Sequence, residues 1–273
     1  MVEIGTSAAP FRSSSIAVGA AIAAEAEGAH AIWYSDGSAI DVAQDLWQAQ
    51  AGLLASVAPD PTDLADPVVN AAAALLVARR LRVGILGWSP GPQLTRAART
   101  VATLADLAPG RAIVACAGTS EEIVGLAAVL RPDLDLELAV YGGAAETAAR
   151  LGWGWIGIAQ SPIAIAKQAS DAGVTGTIGV HLPVLVHADP AVARTARDAP
   201  LLQALGIEAL TDAVVVGTHS TLDAAIDRCV EAGVTRIILE NLLPFGAPHE
   251  LEASRAALRV SIRSARLRHR AAL

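Results

Sequence analysis

The sequence predicts an α/β fold, a (β/α)₈ barrel of parallel strands. Eight short apolar runs of strand length alternate with stretches of helical spacing along the 273 residues. Such alternation implies parallel pairing, because each crossover between parallel strands needs a helix. Eight such units in about 250 residues is the size of a barrel of this kind. No linker, low-complexity tract or strong internal repeat divides the chain, so a single domain over residues 1–273 is expected. A doubly wound open sheet is the alternative arrangement.

The elements follow in order. Residues 2–7 read as a first strand and 14–27 as a helix stopped by Gly28. Residues 31–35, AIWYS, form strand two and run into Asp36-Gly37. A helix is expected around 41–53. Asp66 then caps a long alanine-rich helix to Arg80, with Pro67 at its first position. Strand three is the run Val83-Gly84-Ile85-Leu86-Gly87, which stops at Trp88-Ser89-Pro90-Gly91-Pro92. Glycine inside a strand marks a bulge or a close approach by another group. A bulge is therefore expected at Gly87–Trp88, with Gly87, Trp88 and Ser89 as the wall of a pocket. A plain strand ending in a Pro/Gly turn is the simpler reading.

Helix 94–107 leads to strand four, residues 111–117, ending at Gly118-Thr119-Ser120. Helix 121–130, strand five at 136–141 and Gly142-Gly143 follow. Next come helix 144–151, strand six at 155–159, Gln160-Ser161 and a helix to Ala172. Strand seven spans 178–187 and contains Pro183, which cannot donate to a neighbour, so bending or weak pairing is expected there. Helices at 190–210 and 221–232, strand eight at 237–240 and a terminal helix at 250–270 complete the chain.

Composition excludes several classes. Hydrophobic residues are 53 % of the chain, enough for a large core, and the net charge of −7 argues against a nucleic-acid binder. Cys116 and Cys229 are too few and too far apart for a disulfide framework or a metal cluster. A cytoplasmic setting fits. No secretory signal and no apolar run of membrane-spanning length is evident.

The motifs are individually bland. Residues 152–157 match GxGxxG but precede a strand, where a dinucleotide motif would follow one. His181 and His187 share a face of strand seven, and His187 falls near its carboxyl end, where barrels place catalytic groups. A capped structural histidine is the simpler reading. Asp36, Thr119-Ser120, Gly142-Gly143 and Gln160-Ser161 each follow a strand, so small polar residues and bare backbone gather on one rim. Bare amides and hydroxyls suit a phosphate or a flat heterocycle, although loops favour such residues anyway. Arginines 255, 259, 263, 266 and 270 make one basic face of the terminal helix, a solvated or subunit-contacting one.

In succession, four segments resemble the bacterial luciferase-like family of flavin-dependent monooxygenases and deazaflavin-dependent reductases. They are AEAEGAHAIWYSD at 24–36, residues 66–92 with 97–118, LAVYGGAAETAARLGWGWIGIAQSP at 138–162, and VGTHSTLDAAIDRCVEAGVTRIIL at 216–239. The resemblance implies a (β/α)₈ barrel with a cofactor at the carboxyl ends of the strands. It places a non-prolyl cis peptide, common in the family, at Gly87–Trp88. It also assigns Asp36, Ser89, Gly118, Thr119, Gly142, Gly143, Gln160 and Ser161 to the cofactor lining. The chain departs from the pattern twice. Gly37 stands where many deazaflavin-dependent relatives have a histidine. Only residues 119–135 stand where relatives carry a long insertion after strand four, so the barrel is compact.

The resemblance implies an oxidoreductase using the deazaflavin coenzyme F-420, with FMN as the alternative cofactor, acting on a small organic substrate. Asp36 is the first candidate for the acid role, with His187 second. A second copy of the chain is the expected partner, with neither nucleic acid nor membrane. A cofactor-free barrel serving as a binding or subunit protein is the other functional class.

Overall fold

The computed structural model describes residues 2–8, 14–35, 66–158, 160–204, 213–243 and 247–270. The strands are β1 (Glu3–Ala8), β2 (Ala31–Ser35), β3 (Arg82–Trp88), β4 (Ala112–Cys116), β5 (Glu137–Tyr141), β6 (Gly154–Gly157), β7 (Ile178–Val186), β8 (Val215–Gly217) and β9 (Arg236–Asn241). All except β8 close a parallel barrel in the order β6-β5-β4-β3-β2-β1-β9-β7, with β7 returning to β6. The open sheet is thereby excluded. The helices are α1 (Ser14–Glu27), α2 (Pro67–Val77), α3 (Leu94–Leu107), α4 (Ser120–Val129), α5 (Ala145–Leu151), α6 (Pro162–Ala172), α7 (Pro190–Arg197), α8 (Pro200–Ala204), α9 (His219–Glu231) and α10 (Leu251–Arg270). Among the described residues no helix is long and apolar enough to cross a membrane.

Local chemistry sets the helix ends. Asp66 accepts the amides of Val68 and Val69 at the start of α2, and Thr119 with Glu122 builds a capping box on α4. Gly152 and Gly173 end α5 and α6 with φ of 67° and 76°, a left-handed turn that glycine adopts without strain. Gly152 therefore belongs to a helix stop ahead of β6, as the misplaced GxGxxG implied.

Strand alternation divides the apolar residues into two shells. One set, including Ile4, Ile32, Ile85, Val114, Ile237 and Leu239, faces the helices. The other, including Trp33, Leu86, Ile113, Ala139, Ile156 and Ile238, fills the barrel. Alanines on α1 at positions 17, 21 and 24 let that helix lie close to the strands, and the Tyr34 hydroxyl donates to the Ala17 carbonyl at 2.7 Å.

The structure corrects the sequence reading in several places. A ninth short strand, β8, pairs with Val184–Val186 of β7, so the run at 237–240 lies in β9. The single helix expected over 190–210 is two pieces, because Pro200 disfavours helical backbone at the residue before it; residues 205–212 lie outside the described set, as does the helix expected at 41–53. Pro183 is tolerated because of where it falls. The Ile178 and Val184 carbonyls accept amides of Thr235 and Leu242 on the β9 side, so alternation turns Pro183 to the other edge. There β6 pairs with Ile178–Val180 and β8 with Val184–Val186, and the missing N–H sits between them. The basic face of α10 is exposed at Arg255 and Arg263, while Arg259 and Arg266 are half-buried and tie the helix to α1 and the turn after it. Arg255 pairs with Glu252, Arg259 with Glu27 on α1, and Arg266 with the Gly28 carbonyl.

Two features fill the barrel below its mouth. At the amino-terminal ends of the strands, Glu3, Arg82, Glu137 and Arg236 close a ring of charge. Arg82 reaches both carboxylates at 2.7 Å, and Arg236 reaches Glu3 at 2.9 Å and Glu137 at 2.6 Å. Arg236 also lies over the Trp33 ring, 5.3 Å from its centroid. Trp33 is wholly buried, and two glycines make room for it. A Cβ on Gly84 would stand 2.1 Å from its ring, and one on Gly5 would stand 2.8 Å from Nε1. The close approach that Gly84 signals is thus the side chain of a neighbouring strand.

Candidate functional site

Parallel strands put every strand's carboxyl end on one rim, so the loops after β3 to β7 meet there. Register makes this concrete: Trp88, Cys116 and Val140 stand in one row across β3, β4 and β5. Ser89, Gly118, Thr119, Gly142 and Gly143 follow that row, Gln160 and Ser161 follow β6, and His187 follows β7. Asp36 and Gly37 lie outside the described residues.

The expected irregularity of β3 takes the form of a bulge. Leu86 pairs with Ala115 and Trp88 with Cys116, leaving Gly87 as the extra residue. No cis peptide occurs among the described residues, so the expected cis bond at Gly87–Trp88 is replaced by a φ of 71° at Gly87. A residue with no Cβ reaches that left-handed backbone at no steric cost, which removes the need for an isomerised bond. The bulge leaves Gly87 buried, Trp88 half-buried and Ser89 exposed at the rim.

The other rim residues have local duties. Thr119 is engaged with Glu122 through its amide at 2.8 Å and its hydroxyl at 3.1 Å. Gly118 is at φ 132°, and a Cβ there would stand 2.8 Å from the same carboxylate. Gly142 and Gly143 are both left-handed, at φ 59° and 50°. The Gly142 carbonyl accepts the Trp155 indole N–H at 2.8 Å. Ser161 caps α6 through the Ala164 amide, while Gln160 and Gly143 are exposed.

His187 is buried and held on both nitrogens. Nδ1 accepts the Asp189 amide at 2.9 Å, which leaves the proton on Nε2, 3.1 Å from a Glu250 oxygen. The ring therefore fastens the end of β7 to the turn before α10. Replacing His187 with alanine should strip a half-buried hydrogen bond to a carboxylate and lower stability by about 1.5–3 kcal/mol. A urea titration measures this, and an unchanged midpoint would contradict the fastening role.

Three inward-facing side chains meet at the mouth, of which the sequence singles out only His181. The Tyr141 hydroxyl and His181 Nδ1 are 2.7 Å apart. His181 Nε2 lies 3.1 Å from Glu240 Oε2, and both atoms are buried with no hydrogen bond among the described residues. Tyr141, His181 and Glu240 come from β5, β7 and β9. The signal that finds them is strand parity: Ala139 and Tyr141 share a face, as do Ile238 and Glu240.

No protein-family profile and no curated protein matches the sequence. Solved structures do match in fold. The monooxygenase RslO1 of Streptomyces bottropensis is 18 % identical with a TM-score of 0.66, over 96 % of this chain and 98 % of that one. The coenzyme F-420-dependent tetrahydromethanopterin reductase of Methanopyrus kandleri is 13 % identical with a TM-score of 0.63, over 88 % and 93 %. The oxygenating constituent of 3,6-diketocamphane monooxygenase from a Pseudomonas putida plasmid, in complex with FMN, is 13 % identical with a TM-score of 0.61, over 95 % and 98 %. In fold, the chain is a (β/α)₈ barrel of the kind built by luciferase-like monooxygenases and coenzyme F-420-dependent reductases.

Proposed function

We propose that this protein is an oxidoreductase that binds a flavin-type cofactor at the carboxyl ends of its strands and acts on a small organic substrate. Coenzyme F-420 is the first candidate and FMN the second, because the segment between β4 and β5 is short, as in the reductases the sequence resembles. The observation that carries the reading is the bulge at Gly87, which ends β3 with bare backbone beside Trp88. The residues present fit a flat heterocycle with a polar edge. Among the described residues, two buried polar atoms at the mouth, His181 Nε2 and Glu240 Oε2, have no hydrogen-bond partner. A bound flavin-type ring supplies the hydride or oxygen chemistry. The chain's own part is to seat the ring against Gly87 and Trp88 and to meet it with Gly142, Gly143, Gln160 and Ser161. Asp36 orders the pocket and His187 holds its edge.

The second reading, a cofactor-free binding barrel, is favoured by one observation. Thr119 and Ser161 already spend their side chains on helix caps, and the Glu122 carboxylate sits beside Gly118. Titration of the purified protein with coenzyme F-420 and with FMN, followed by absorbance and fluorescence, separates the two. Saturable binding of one cofactor is expected. Gly87→Val should weaken that binding at least tenfold, since a β-branched residue is strained at positive φ and crowds the bulge. Binding of neither cofactor would sink the oxidoreductase reading.

A further inference from the structure

Three inward-facing carboxylates occupy the described part of the barrel, and they differ in company. Glu3 and Glu137 sit at the amino-terminal end, held by Arg82 and Arg236. Glu240 sits at the opposite end, four residues further along β9, beyond the layer of Trp33, Ile113, Ala139 and Ile238. Its neighbours in register are Ser7 on β1 and Pro183 on β7, neither of them charged. Among the described residues it has no arginine or lysine partner. Its ionisable neighbours at the mouth are His181 and, behind that ring, Tyr141.

Burial grades the three side chains. Tyr141 is 4 % exposed and His181 5 %, while the Glu240 side chain keeps 17 % of its surface. Its Oε2 is fully covered against His181, so the exposed part of the residue is the rest of the side chain, at the mouth. A carboxylate beside Nε2 favours the tautomer with the proton there, and Nδ1 is then free to accept the Tyr141 hydroxyl hydrogen. This is the order of a relay with a buried base and an accessible carboxyl end.

We propose that Glu240 is the proton-handling group of the site, touching the ligand, and that His181 and Tyr141 are positioning residues behind it. The inference rests on the flavin-type reading, whose hydride donor is the reduced cofactor. When hydride adds to a carbonyl or imine carbon of the ligand, a C–H bond would form there, the C=O or C=N π pair would move onto the oxygen or nitrogen, and that atom would take the Glu240 proton as the Glu240 O–H bond breaks. The carboxylate left behind lies 3.1 Å from His181 Nε2, and solvent returns the proton through the exposed side of the residue. For this role Glu240 must carry a proton when the mouth is covered.

The test uses the full chain and calorimetric titration with coenzyme F-420 and FMN in two buffers of different ionisation heat. Cofactor binding to the parent protein should take up protons. Glu240→Gln should bind with the uptake lost, and Glu240→Asp, which keeps a shorter carboxyl, should retain part of it. Equal uptake in parent and Glu240→Gln would overturn the proposal while leaving the cofactor reading intact. A second arm needs no cofactor. Nitrogen-15 spectra of the histidines should show His181 as the Nε2–H tautomer, shifting towards a mixture in Tyr141→Phe and in Glu240→Gln. If neither cofactor binds, the functional reading fails and this arm decides the relay. A His181 signal indifferent to both substitutions overturns it.

Discussion

Replacing Glu137 with alanine is expected to lower stability by about 3–5 kcal/mol, the cost of removing one partner from a buried ionic pair. The ring at the base of the barrel is neutral as built, with two guanidinium groups and two carboxylates. Without Glu137, Arg82 and Arg236 share Glu3 alone, and Arg236 is 1 % exposed, so a net positive charge is stranded out of water. The same geometry predicts an acid limit. Burial alone would raise the Glu137 pKa, but hydrogen bonds and charge from Arg236, then Arg82, hold it down to about 2. A carboxyl held below its unfolded value stabilises the fold fully above about pH 4.5, and that contribution is lost as pH falls towards 2. Urea titrations between pH 7 and pH 2 should show parent stability falling through this window and a shallower fall in Glu137→Ala. Parallel curves would contradict the account.

Trp33→Ala should be of similar size, about 3–5 kcal/mol. The void would be walled by Gly5 and Gly84, which have no side chains to collapse into it, and Arg236 would lose the ring it lies over. The reverse change is also damaging. Gly84→Ala puts a methyl group 2.1 Å from the indole, an overpacking worth about 1–3 kcal/mol. The two effects should not add. In Trp33→Ala the methyl enters empty space, so Gly84→Ala should cost far less there, with a coupling of about 0.5–3 kcal/mol in a double-mutant cycle. Additive costs would mean that Trp33 does not lie between these glycines.

The barrel is legible in the sequence because each wall strand is a run of apolar residues closed by Gly, Pro, Ser or Thr, with helical spacing between. Those signals are local, and so are the caps at Asp66, Thr119 and Ser161. The short strand β8 is not legible, since only Val215–Gly217 pair and their partner is the tail of β7. Gly84 reads as a close approach, but the approaching group belongs to Trp33, and only the register of β2 with β3 reveals it. The site is legible as a rim and not as a set of contacts. His187 draws notice by its place after a strand, yet it ties two loops together. His181, on the same strand, meets Tyr141 from 40 positions away and Glu240 from another strand, through barrel closure that no local pattern encodes. The bulge at Gly87 is foreshadowed by its glycine, while whether a cis bond or a left-handed residue makes the turn is settled by tertiary packing.

The central claim is that the carboxyl-terminal rim seats a flavin-type ring. A crystal structure of the protein with coenzyme F-420 or FMN tests it most directly. The account predicts electron density for the ring against Gly87 and Trp88, with a polar atom of ligand or substrate within hydrogen-bond distance of Glu240. Density for the ring away from this rim, or an empty mouth in protein saturated with cofactor, would contradict it.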